Sequence, residues 1–135
     1  MKYILDTNII IRFLANDHEE HSPAAYRLFE KASQGEATLY LDPIVIAECV
    51  HVLKGKYYRL SKTEILTVLK KIIENPQVEA DNKDLLISAL ICFEQYNIDY
   101  PDAYLASLAE KQRITVATFK TKDFEKAGVN HYQPL

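Results

Sequence analysis

Four acids stand where an acid needs a chemical explanation. Asp6 follows the apolar run Tyr3–Leu5, Glu48 interrupts the segment IVIAECVHVL, Asp102 opens an apolar helical stretch, and Asp123 lies just beyond the strand-like residues Thr115–Thr118. A carboxylate taken out of water without a partner is very costly, so such a group is paired, protonated or bound to a metal. On the helix that carries Glu48 no Lys or Arg occurs until Lys54, so a local ion pair does not account for it. Several carboxylates at the strand ends of one sheet would make a hard oxygen site of the kind Mg²⁺ or Mn²⁺ takes. Crowded carboxylates repel one another, and a bound divalent ion restores their full ionisation. A plainer reading exists for Asp6, Thr7 and Asn8, because all three residue types cap helices; it covers Thr7 and Asn8 well and Asp6 less well. Glu48 poses a geometric condition. It lies six residues past Asp42, roughly 9 Å along a helix at about 1.5 Å per residue, so only a helix crossing toward the first strand brings it to the other acids.

The elements that must position these acids alternate between strand and helix. Tyr3–Leu5 reads as a strand buried on both faces of a parallel sheet, with Asp6 at its carboxyl end, where open α/β sheets hold their ligands. Ile9–Leu14 is helical. Ser22 and Pro23 read as a cap followed by a first-turn proline, opening a helix that runs to about Gln34 and stops at Gly35. Thr38–Leu41 is a second strand, and Asp42 with Pro43 repeats the start signal for Ile44–Leu53, apolar nearly all round and therefore deeply buried. Gly55 ends it. Ser61 and Glu64 form a capping box before Ile65–Ile73, and Asn75 with Pro76 terminates that helix. Val78–Ala80 is a short strand, Lys83–Tyr96 a helix, Ala103–Lys111 another with Pro101 and Asp102 in its first turn. A strand at Thr115–Thr118, a short helix near Phe124 and an extended piece at Asn130–Tyr132 complete the chain. Strands and helices at this spacing imply an α/β fold with a parallel sheet and helices on both faces.

Composition narrows the function classes. A chain of 135 residues is the size of one domain and buries about 70% of its unfolded surface. Cys49 and Cys92 sit far apart in apolar helical contexts, unlike a disulfide framework or a zinc site, and fit reduced thiols in a cytoplasmic protein. Polar residues Asp6, Asn8 and Arg12 interrupt the apolar N-terminus before a signal-peptide core or membrane span forms, so neither export nor membrane insertion is expected. His18, His21, His51 and His131 lack ligand spacing, and His51 reads as a core or interface residue. Asp99 prepares a helix start, while Asp17, Glu19 and Glu20 read as a solvated acidic turn. With no G-x-S-x-G elbow and no P-loop, nucleophilic hydrolases and nucleoside triphosphatases have no support. The net charge of −3 argues against a generic polyanion binder. Its distribution matters more: KGKYYRLSK holds Lys54, Lys56, Arg59 and Lys62 around Tyr57 and Tyr58 with no acid. Cations for phosphates beside aromatic faces for bases describe a single-strand nucleic-acid surface; a solvated loop between helices is the alternative.

Taken together, LDTN near the start, the acid in PIVIAECVHVL, then YPDAYLASLAEKQ and VATFKTKDF resemble a PIN domain of the VapC-like toxin group over essentially the whole chain. The resemblance implies a single PIN-like domain over residues 1–135, three-layer α/β/α with a short, mostly parallel central sheet. It also implies a Mg²⁺- or Mn²⁺-dependent endoribonuclease. Asp6, Glu48 and Asp102 match its metal-binding acids, Asp123 a fourth and more variable acid, and Asn8 and Thr118 supporting positions. The family is commonly the toxin of a toxin-antitoxin pair, restrained by a small antitoxin protein, cytoplasmic, and homodimeric. Surplus apolar positions on the helices Ser61–Glu74 and Lys83–Tyr96 are compatible with a helical interface. One departure stands out. Two residues after Thr118, where the family commonly has Asp or Asn, this chain has Lys120, a residue suited to contacting phosphate or neutralising the acids. With Arg12, Lys54, Lys56 and Arg59 it is a candidate RNA contact. Two other readings compete. A Mg²⁺ phosphatase with Asp6 as acceptor wants a second Asp two residues on, where Asn8 stands; a non-catalytic PIN-fold module binding RNA or protein is kept in play by Lys120.

Overall fold

The computed structural model describes all 135 residues and resolves into two compact units, Met1–Lys83 and Asp84–Leu135. The first contains β1 (Lys2–Ile4), α1 (Thr7–Ala15), α2 (His21–Ser33), β2 (Thr38–Tyr40), α3 (Pro43–Lys54), α4 (Lys62–Glu74) and β3 (Val78–Glu79). From the boundary onward come α5 (Lys83–Gln95), α6 (Tyr100–Gln112), β4 (Val116–Ala117), α7 (Thr121–Lys126) and β5 (His131–Tyr132). Every strand pairing is parallel: β1-β2-β3 in the first unit and β4-β5 in the second. Parallel neighbours require crossover connections, and the helices supply them.

In the first unit β2 is the central strand, with Leu39 fully buried. β1 is an edge, and the expectation of burial on both faces fails there. Ile4 is 69% exposed, and only Leu5, just past the strand, enters the core. α1 packs on α2 through Phe13 stacked on Phe29, with ring centroids 4.1 Å apart, and also on α3. α3 is less buried than its composition implies. Val45, Ile46, Cys49, Val50 and Leu53 form its inner stripe, whereas Ile44, Glu48, His51 and Val52 are exposed. Its length of three turns presents two faces, and only one meets the core. His51 is therefore a surface residue.

Local start signals hold unevenly. Ser61 Oγ accepts from the Glu64 amide at 3.1 Å while Glu64 Oε1 accepts from the Ser61 amide at 2.9 Å, the capping box in full. Asp42 Oδ1 accepts from the Ile44 amide at 3.0 Å with Pro43 at the first helical position. Ser22 does not cap α2; that helix begins at His21, and Ser22 is buried within it. The N-cap residue is Glu20, whose side chain makes no capping bond, and His18 Nδ1 accepts the His21 amide at 2.9 Å and the Glu20 amide at 3.2 Å. Gly35, at φ +79, occupies left-handed backbone where a side chain would be strained, and it closes α2 as expected.

The second unit gathers Ala106, Phe124 and Val129 with Cys92, Val116 and Ala127 packed against them. Both cysteines are free thiols. No helix of the chain is long and apolar enough to cross a membrane.

Candidate active site

The end of β1 turns directly into α1, and the acid at that turn is its cap. Asp6 is the N-cap residue in extended backbone, and its Oδ1 accepts from the Thr7 amide at 2.9 Å. The capping role, weighed against Asp6 in favour of its neighbours, falls on Asp6 itself. Thr7 is buried at 7% exposure, and its hydroxyl donates to Glu48 Oε2 at 2.7 Å, across 41 positions of sequence. α3 thus brings Glu48 to the residue that follows Asp6, and Asp6 and Glu48 both contact Thr7.

The local field records the two acids. Burial, then the charges of Glu48 and Asp6, push the Cys49 thiol up to about 12. Neither Asp6 nor Glu48 is buried, so the desolvation argument that singled them out does not apply to them. It applies to Asp102, which is 8% exposed in the first turn of α6. Asp123 is half-buried on α7 and faces Lys126 Nζ at 3.9 Å.

Asp102 has a cationic partner. Lys120 Nζ lies 3.3 Å from its Oδ2. The end of β4 places that lysine: the Thr118 amide donates to the Tyr132 carbonyl at 2.9 Å, and Thr118 Oγ1 accepts the Lys120 amide at 2.8 Å. Thr118 therefore shapes the turn that carries Lys120 toward Asp102. Asn8 is exposed on the first turn of α1.

The basic stretch is anchored by a residue that sequence reading assigned to solvent. Asp17 Oδ1 pairs with Arg12 at 2.9 Å, and Asp17 Oδ2 accepts the Tyr58 hydroxyl at 2.7 Å. The Tyr58 hydrogen bond, followed by that from Arg12, holds the Asp17 carboxyl below its ordinary value. Arg12 is thereby engaged within the chain. Next to Tyr58, the Tyr57 ring is 80% exposed and packs edge-on against it at 4.7 Å. Arg59 sits in left-handed backbone at φ +52 with Nε donating to the Lys56 carbonyl at 3.0 Å, and Lys54 and Lys56 are exposed.

Within neither unit do three His, Cys, Asp or Glu side chains converge as a metal-binding group. The pair Asp6 and Glu48 nonetheless suits a hard divalent ion, because Mg²⁺ keeps several waters and is commonly held by one or two carboxylates plus substrate phosphate. Each of these carboxylates has one oxygen engaged by Thr7 and the other, Oδ2 and Oε1, without a partner in the chain. A groove of about 480 Å³ in the second unit is lined by Leu85, Ile91, Cys92, Tyr96 and Ala106 among others. Asp84, Ser88, Gln95, Glu110 and Lys111 also line it, and it includes neither Asp102 nor Lys120.

Over residues 3–130 the sequence matches the PIN domain family. The three-layer α/β/α class expected from the sequence is that of this family. Among solved structures, two align with nearly the whole chain at 18% identity. One is FitAB bound to an IR36 DNA fragment, covering 99% of this chain and 95% of that one with a TM-score of 0.36. The other is FitAcB from Neisseria gonorrhoeae, covering 98% and 96% with a TM-score of 0.35. No curated protein matches the chain in sequence.

Proposed function

The chain belongs to the PIN domain family, whose members are in general nucleases, and on that premise we propose that it is a Mg²⁺- or Mn²⁺-dependent endoribonuclease. In this reading it is a single domain, the toxin of a toxin-antitoxin pair, active in the cytoplasm as a homodimer and restrained by a small antitoxin protein. The observation that supports it most is the juxtaposition of Asp6 and Glu48 around Thr7, with one oxygen of each carboxylate left over. Those two oxygens would hold the ion. The further assignment of Asp102 as a ligand, and of Asp123 as a fourth acid, rests on the order of motifs along the chain. When bound, the ion supplies Lewis acidity at the phosphoryl oxygen and lowers the pKa of the attacking water.

The remaining roles belong to the chain's own side chains. Thr7 orients the two acids, and Thr118 shapes the turn of Lys120. Lys54, Lys56 and Arg59 offer charge to the RNA backbone, and the exposed Tyr57 ring offers a face on which a base can stack. Arg12, tied to Asp17, serves that surface by holding it in place. Of the apolar positions on α4 and α5, Ile65, Leu69, Ile72 and Ile73 are spent on the core, and Ile91 is the large one left exposed. A dimer contact through these helices would centre on α5.

The non-catalytic PIN-fold module is the second reading, favoured by the Lys120–Asp102 pair, which neutralises an acid without any ion. Cleavage of structured RNA with and without Mg²⁺ separates the two. The nuclease reading expects cleavage that requires the metal and disappears in Asp6→Asn. Cleavage that persists without metal or in that variant refutes it.

A further inference from the structure

We infer that Thr7 is a positioning residue that sets the spacing and orientation of the acidic pair. This rests on the reading above, in which Asp6 and Glu48 hold the divalent ion. Thr7 contacts both carboxylates at once, its amide on Asp6 Oδ1 at 2.9 Å and its hydroxyl on Glu48 Oε2 at 2.7 Å. Its place in the helix leaves the hydroxyl little choice. A threonine inside a helix can donate to a carbonyl one turn back, but at the first position of α1 the helix has no preceding turn. The side chain is buried and β-branched, so its χ1 is stiff and its hydroxyl direction is set. Glu48, on the exposed side of α3, is a long side chain that would otherwise sample many rotamers. The Thr7 hydroxyl selects one of them beside Asp6.

Metal-ligating carboxylates are typically hydrogen-bonded by outer groups that orient them, and loss of such a group costs about 10- to 100-fold in metal affinity. Thr7 does this for two acids from adjacent elements.

Two substitutions separate positioning from packing. Thr7→Val keeps the shape, the branched Cβ and the backbone N–H and removes only the hydroxyl. Thr7→Ser keeps the hydroxyl and removes a buried methyl. Mn²⁺ affinity, read by electron paramagnetic resonance on the purified protein without RNA, should fall about tenfold or more in Thr7→Val and stay near wild type in Thr7→Ser. Thermal unfolding without metal should rank them the other way, with Thr7→Ser the less stable. Affinity that follows stability, or a Thr7→Val protein that binds Mn²⁺ like wild type, overturns the inference. So does a Thr7→Ser protein that folds but loses affinity, which keeps the test open should Thr7→Val fail to fold. The underlying ligand assignment is judged separately: wild type that binds no Mn²⁺, or Asp6→Asn that binds it equally well, removes that assignment and the role of Thr7 with it.

Discussion

The two units hold their acids by opposite means. In the first, Asp6 and Glu48 each receive a neutral hydrogen-bond donor from Thr7. In the second, Asp102 is buried and meets the ammonium of Lys120 at 3.3 Å. Hydrogen bonds orient a carboxylate while leaving its charge available to an incoming cation; an ion pair cancels that charge and must be broken before another cation can use it. The solvent-exposed half of the pair limits its strength. Lys120 is 63% exposed against 11% for the Asp102 side chain, so the contact is worth at most about 1 kcal/mol. A pair that weak is a gate an ion can open.

The largest effects should come from removing acids on either side of this contrast. Asp6→Asn and Asp102→Asn should each lower RNA cleavage by more than about 100-fold, beyond what the loss of an outer hydrogen-bond partner costs, with little change in melting temperature. If Asp102→Asn remains active while Asp6→Asn does not, only the hydrogen-bonded unit carries the chemistry. A smaller effect of opposite sign is expected at Lys120. Lys120→Met frees Asp102 and should tighten Mn²⁺ binding by up to about fivefold, the equivalent of the roughly 1 kcal/mol the pair contributes. Titration of Mn²⁺ into the variant checks this, and weakened binding would make Lys120 part of the site instead of a competitor for it.

The smallest effect concerns pH. Asp17 has a folded carboxyl held below its ordinary value of 3.8, first by the Tyr58 hydrogen bond and then by Arg12. A depressed acid stabilises the folded state above its unfolded value, and that contribution fades as pH falls through the lower folded value. Asp17→Asn should therefore unfold with a shallower acid dependence below about pH 4 than wild type, measured by circular dichroism, while behaviour near pH 7 reports only the lost charge-assisted contacts.

What could be read from the sequence was chemistry that acts over a few residues. Ser61 with Glu64 and Asp42 with Pro43 mark their helix starts because both partners lie within one turn. The α/β class follows from the same kind of local signal, repeated along the chain. Ser22 misled because α2 begins one residue earlier, at His21, whose amide the His18 ring accepts. Glu48 was taken as buried from its apolar neighbours, but which face of α3 meets the core is decided by α1 and α4 packed against it. Thr7, read as a cap, and Asp17, read as solvated charge, hid their roles for one reason. Their decisive partners, Glu48 and Tyr58, are each 41 positions away, and no window on the sequence spans that distance. Asp102 needed no such help, since an acid opening an apolar helix was already anomalous.

The Asp17 junction turns α1 into a ruler. That helix is capped by the acid proposed to bind the ion and, six residues on from it, roughly 9 Å along its axis, presents the guanidinium that steadies Tyr58 through Asp17. Where a strand is gripped and where it is cut would then be separated by a rigid rod. One residue inserted between Asn8 and Arg12 would swing the guanidinium about 100° around that rod, cast the aromatic loop adrift, and blur the choice of scissile bond while leaving the acids where they were.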